Sequence, residues 1–139
     1  MENSVQISRK TIYSLAMTDF KIYTDNLTYL ENTLKTPLEK MNMILGSKDQ
    51  DELLASYIEN SVLTEFYKAE KYISRVEHEI VKYKRKLKYF LYSNPQESEE
   101  FDMFLENLYK LIGEKREFVA NQIEKCLNYI DKFHQIDSE

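Results

Sequence analysis

Lys82, Lys84, Arg85, Lys86 and Lys88 are interleaved with Tyr83, Leu87 and Tyr89, and no other stretch of the 139-residue chain has residue types and spacing so suited to a ligand. Cationic side chains neutralise phosphates, and aromatic rings stack on nucleobases. The pattern therefore suits single-stranded nucleic acid, and an anionic lipid surface equally well. A structural reading competes with it. Tyr83 and Leu87 belong to an apolar seam, and the run falls in the last turns of a helix, where the macrodipole favours cations. Glu97, Glu99, Glu100, Asp102 and Glu106 lie across a short hairpin. The structural reading is preferred: these acids are expected to neutralise the bases, and nucleic acid is not the expected partner.

Other reactive residues are sparse. Gly46 and Gly113 are the only glycines, too few for a phosphate-cradling loop. One cysteine, Cys126, excludes a paired-thiol zinc site and an internal disulfide. It lies on an apolar helical face and reads as a buried, inert thiol. A carboxylate-bridged metal bundle needs Glu-x-x-His on two helices. The residue three before His78 is Arg75, and only Asp131 to His134 gives an acid at that spacing. His134 is better placed to complement the C-terminal dipole of its helix. No catalytic residue, metal ligand or cofactor is assigned, and the chain is not expected to be an enzyme.

The elements that position these residues are helices. Val62, Phe66, Ala69, Ile73, Val76, Ile80, Tyr83, Leu87 and Phe90 follow one another at alternating steps of four and three. That is the 3.5-residue seam of a coiled coil. Ile12, Ala16, Phe20, Tyr23, Leu27, Leu30, Leu34, Leu38, Met41 and Leu45 keep a helical period before it. Phe101, Leu105, Leu108, Ile112, Lys115, Val119, Gln122, Cys126, Tyr129 and Phe133 keep it after. Asn3, Ser4 or Ser8 is expected to cap the first helix, and Gly46 to end it. Thr36-Pro37-Leu38-Glu39 reads either as a fresh capping box or as a kink. The apolar phase continues through Pro37, which favours a kink. Ser47 or Asp49 should start the second helix, Ser93-Asn94-Pro95 should end it, and Gln96 or Ser98 should precede the third.

Few turns and 42% apolar residues suit one domain spanning residues 1–139. The fold class expected is all-α: an antiparallel up-down-up bundle of three long helices, about 5–45, 49–92 and 97–134, with coiled-coil-like packing and the first helix kinked at Pro37. Matching the seams sets Ala16 by Ile80, Phe20 by Val76, Ile73 by Val119 and Phe66 by Cys126. Lys115 then lies level with Phe20, and Gln122 with Leu27. These two polar interruptions are expected to fix register or to snorkel outward.

Charge is uneven. Residues 94–139 carry five positive and eleven negative charges, so the last third holds the whole net charge of −5. An acidic third argues against a nucleic-acid coat. The expected setting is cytoplasmic, with no secretory leader or transmembrane segment read from the sequence. The expected function is non-enzymatic: an adaptor, export chaperone or regulator that binds a protein partner or itself, as a homodimer. Tyr67, Val81 and Tyr89, apolar but off the seam, are the candidate contact residues. Nucleic-acid or anionic-membrane binding through 82–89 is the alternative.

Overall fold

The computed structural model of the chain describes the backbone of residues 2–45 and 51–138, and side chains over 8–43 and 52–132. The segments in order are α1 (Glu2–Thr28), α2 (Leu30–Leu45), α3 (Asp51–Tyr57), a π-helical turn (Ile58–Val62), α4 (Leu63–Ser93) and α5 (Pro95–Ser138). No strand occurs among the described residues, and the fold is an all-α helical bundle. Gly46, Ser47 and Asp49, and the side chains of Leu45, Phe133 and His134, lie outside the described residues.

The seams are the core. Ala16, Phe20, Leu27, Leu30 and Leu34 are buried from the first stretch. Phe66, Ala69, Ile73, Val76, Ile80 and Leu87 are buried from α4, and Phe101, Leu105, Leu108, Ile112, Val119 and Cys126 from α5. Each fully buried large apolar side chain contributes on the order of 2 kcal/mol through removal from water. No polar or charged residue is buried with them among the described residues.

Three boundaries differ from expectation. The first helix is under way at Glu2, so Asn3, Ser4 and Ser8 lie inside it rather than capping it. The break in that stretch falls at Tyr29, while Pro37 sits inside α2. Thr24, Thr28 and Thr33 each donate a hydroxyl to the carbonyl four residues back, at 2.8, 2.8 and 3.2 Å. Such back-bonds compete with the backbone ladder and bend helices, and three of them cluster about this break. Finally, α5 starts at Pro95, not after Gln96 or Ser98. Proline at the first helical position forfeits no bond, because that N–H has no intrahelical acceptor. The Asn94 carbonyl accepts from the Ser98 N–H at 3.0 Å, and the Asn94 side chain caps backward by donating to the Phe90 carbonyl at 2.7 Å.

The π-helical turn follows from spacing. Leu54, Ile58, Val62 and Phe66, all buried, recur at steps of four, with Ala55 and Leu63 buried beside them. On a regular α-helix each such step drifts by roughly 40°. The wider turn absorbs one extra residue and keeps the four on one face.

The chain divides into two compact units, residues 1–28 with 73–114, and residues 29–72 with 115–139. In the first, Tyr13 packs on Phe90 with centroids 5.4 Å apart, and Phe20 meets Tyr83 edge-on at 5.7 Å. The numbers run in opposite directions, so α1 and α4 are antiparallel. Phe20 also packs on Phe101 at 5.3 Å. In the second, Phe66 meets Phe118 at 6.4 Å.

These contacts correct the expected register. Phe20 lies beside Tyr83 rather than Val76, one heptad along. Phe66 lies beside Phe118 rather than Cys126, about two turns away. Seams with the same four-three repeat match again at every heptad, so apolar spacing alone leaves the register degenerate. Side-chain partners decide it. The Tyr83 hydroxyl donates to Asp19 Oδ2. Lys115 donates to Glu31 Oε1 at 3.0 Å, level with Glu31 rather than Phe20.

Candidate interaction surface

α4 carries the residues singled out from the sequence. The seam turns one face inward, and everything a half-turn from it points to solvent. Val81 and Tyr89 are 44% and 66% exposed in the first unit, and Tyr67 is 41% exposed in the second. Val81, Arg85, Lys88, Tyr89 and Tyr92 stand at i, i+4, i+7, i+8 and i+11, which places them on one face of α4. All five are exposed, Tyr92 at 89%. Tyr92 lies beyond Phe90, the last residue of the seam, and beside the expected helix end, so the seam alone does not mark it. A second apolar spacing, out of phase with the seam, is the signal that marks it.

The basic run is not neutralised as expected. Among the described residues, no carboxylate of 97–106 stands within ion-pair distance of Lys82, Lys84, Arg85, Lys86 or Lys88. Lys82 pairs instead with Glu79 one turn back, at 3.4 Å. Lys84 lies over the Tyr109 ring at 5.5 Å and donates to its hydroxyl at 3.3 Å. Glu100 turns the other way and accepts from the Tyr13 hydroxyl at 2.9 Å. The reason is geometric. An ion pair across a hairpin needs both side chains on the facing flanks, whereas Arg85 and Lys88 lie on the outer face of α4. Glu99, Met103 and Glu106, at i, i+4 and i+7, lie on the outer face of α5.

Those two outer faces meet at an open groove of about 520 Å³, lined by Leu91, Tyr92, Pro95, Ser98, Glu99, Asp102, Met103 and Glu106. Met103 is 66% exposed. The hairpin therefore shows solvent a basic flank, an acidic flank and large apolar side chains between them. Arg9 stacks over the Tyr89 ring at 5.6 Å, so that exposed ring has a partner on one face.

The two tyrosine–carboxylate bonds brace the first unit from behind. Desolvation by burial, then the Asp19 bond, raise the Tyr83 hydroxyl well above the usual phenol range. The same two causes, with Glu100 as acceptor, push Tyr13 up to about 12. Both are donors at neutral pH.

In the second unit, Gln122 and Cys126 border a cleft of about 440 Å³ with Leu38, Met41, Asn42, Ile58, Lys125 and Tyr129. Burial raises the Cys126 thiol, which disfavours the reactive thiolate. His78 is exposed. Among the described residues no group of three or more His, Cys, Asp or Glu could hold a metal ion, and no described helix is long and apolar enough to cross a membrane.

Comparison with known proteins gives no relative: no family model, no curated protein and no solved structure matches the chain.

Proposed function

We propose that the protein is a non-enzymatic interaction module that works by presenting the outer face of its α4–α5 hairpin to a protein partner, in the manner of an adaptor, chaperone or regulator. The observation that carries this reading is the exposure of Tyr92 and Met103, which share the groove at the turn, together with Tyr89 and Val81, exposed on the same face of α4 about one and three turns before Tyr92. Single exposed apolar residues are ordinary, but several on one helix face and its adjoining groove, interleaved with charges, have the anatomy of a contact surface. Tyrosine is also among the residues that concentrate binding energy at interfaces. Tyr67 is a secondary contact candidate in the other unit. The proposed setting is the cytoplasm, where a lone thiol such as Cys126 stays reduced.

Site-specific photo-cross-linking tests it. A benzoylphenylalanine at Tyr92 should yield discrete cross-linked species in the native cell. The same group at Asn121, on the solvated face of α5, should yield none. Equal labelling at both positions would remove the hairpin from consideration.

A polyanion remains the second reading, favoured by the lack of a carboxylate partner for Arg85, Lys86 and Lys88 among the described residues. Against it, the bases are dispersed around α4, with Lys84 and Lys86 off the outer stripe, and Glu99, Asp102 and Glu106 stand close by to repel phosphate. Lys84→Glu with Lys86→Glu separates the two. A salt-sensitive gel shift abolished by the double change at unaltered melting temperature would favour nucleic acid. No retention of DNA or RNA at about 0.15 M salt, near physiological ionic strength, would favour the protein partner.

A further inference from the structure

We infer that the partner held by the hairpin is a second copy of this chain, docked about a two-fold axis so that the basic flank of each α4 meets the acidic flank of the other α5. The inference rests on the interaction-module reading and names its partner. A two-fold interface must be self-complementary: a patch that contacts another patch must be contacted by it in return. This hairpin satisfies that condition by itself. Arg85 and Lys88 project from one side of the turn, Glu99 and Glu106 from the other, and none has an ion-pair partner among the described residues. Charges this near in sequence, yet unpaired among the described residues, become complementary when the hairpin is rotated onto itself.

The apolar residues fall where such an interface needs its centre. Tyr92 belongs both to the exposed stripe of α4 and to the groove that carries Met103 and Glu99. A two-fold axis near that groove brings Tyr92 of each copy against Met103 of the other. A flexible thioether against an aromatic ring is a favourable contact. Opposite charges outside it form the polar rim that steers and registers association. A foreign acidic partner would use only the α4 flank and would be repelled by the acids beside it. A foreign basic partner would meet the reverse problem. A surface carrying both signs in mirrored order uses the whole hairpin, and this chain itself supplies one.

The test is a pair of charge-reversed proteins measured by sedimentation equilibrium at high micromolar concentration. Wild type is expected at twice the monomer mass of 16.7 kDa. Arg85→Glu with Lys88→Glu makes both flanks acidic, and Glu99→Lys with Glu106→Lys makes both basic. Each is expected to sediment as a monomer with unchanged helicity by circular dichroism. An equimolar mixture of the two is expected to recover the dimer, and only heterodimers should form. Should either reversed protein lose helix, Tyr92→Ala, at a ring 89% exposed, is expected to dissociate the dimer without touching the core. A monomeric wild type, or reversed proteins that dimerise alone and do not prefer each other, overturns the self-docking. In that event a Tyr92 cross-link to a different protein still sustains the interaction module, whereas loss of that cross-link removes both.

Discussion

The two units hold their helices by different means. The first, residues 1–28 with 73–114, keeps the four-three spacing on α4 and α5 and is regular throughout its helices. It adds polar ties: Tyr83 to Asp19, Tyr13 to Glu100, Lys84 to Tyr109 and Arg9 to Tyr89. The second, residues 29–72 with 115–139, departs from that spacing between Leu54 and Phe66 and contains the π-helical turn. Among its ties between distant segments is Lys115 to Glu31, with Lys115 only 13% exposed. The lesson is that seam spacing sets helix geometry, and polar partners choose among the registers the seam allows.

The largest effect should come from shifting one seam and not the other. Deleting Ser74, an exposed residue of regular α4, rotates the seam beyond it by roughly 100°. It should abolish the cooperative melt. Deleting Glu59, inside the π-helical turn, converts the four-four-four spacing from Leu54 to Phe66 into four-three-four. That chain should fold with ordinary α-helix in place of the wide turn and near wild-type stability. Two deletions with equal cost in thermal melts would break the link between spacing and geometry.

Removing the aromatic hub of the first unit comes next. Phe20 is fully buried and touches both Tyr83 and Phe101. Phe20→Ala should cost about 3–5 kcal/mol in urea unfolding, the usual range for a buried ring. A cost near that of a surface change would show that the hub is not where the unit is held.

Smaller effects belong to the tyrosines. Their folded pKa values lie above the unfolded value of about 10, so folding favours the protonated form. Their contribution is complete below that pH and is lost as pH rises through the folded values, about 12 for Tyr13. Stability should fall in strong alkali, and that fall should shrink in Tyr13→Phe and Tyr83→Phe. At neutral pH, Tyr83→Phe should cost about 1–2 kcal/mol through the lost bond to a carboxylate. An alkaline limb identical in all three proteins would discard these bonds as register pins.

The smallest change should stabilise. Gly113 lies in the interior of α5, and an added Cβ there meets nothing. Gly113→Ala should raise stability by about 0.5–1 kcal/mol through backbone entropy, visible as a small upward shift in Tm.

Much of the fold was legible. Val62 to Phe90 places α4, its inward face and its apolar class, because a four-three pattern has no other regular solution. The π-helical turn leaves a trace in the sequence as well, in the run of fours from Leu54 to Phe66, although Ala55 and Leu63 blur it. The register was not legible, since Phe20 fits beside Val76 or Tyr83 equally well by period, and contacts such as Tyr83 with Asp19 and Tyr13 with Phe90 distinguish them. For the candidate surface, Val81 and Tyr89 could be picked out as apolar residues off the seam. Tyr92 and Met103 could not be joined to them until the turn at Asn94 brought the outer faces of α4 and α5 to one groove. The failure of the bases to pair across the hairpin also lies beyond the sequence, because it depends on which flank each charge occupies.

Hydroxyl-radical footprinting at low and high protein concentration tests the central claim most directly. It reads the solvent exposure of individual tyrosine and methionine side chains. The account predicts that Tyr89, Tyr92 and Met103 lose reactivity together as concentration rises, while Met43, 77% exposed in the other unit, keeps its own. Reactivity at Tyr92 and Met103 that is independent of concentration, or protection at Met43 in place of them, would contradict it.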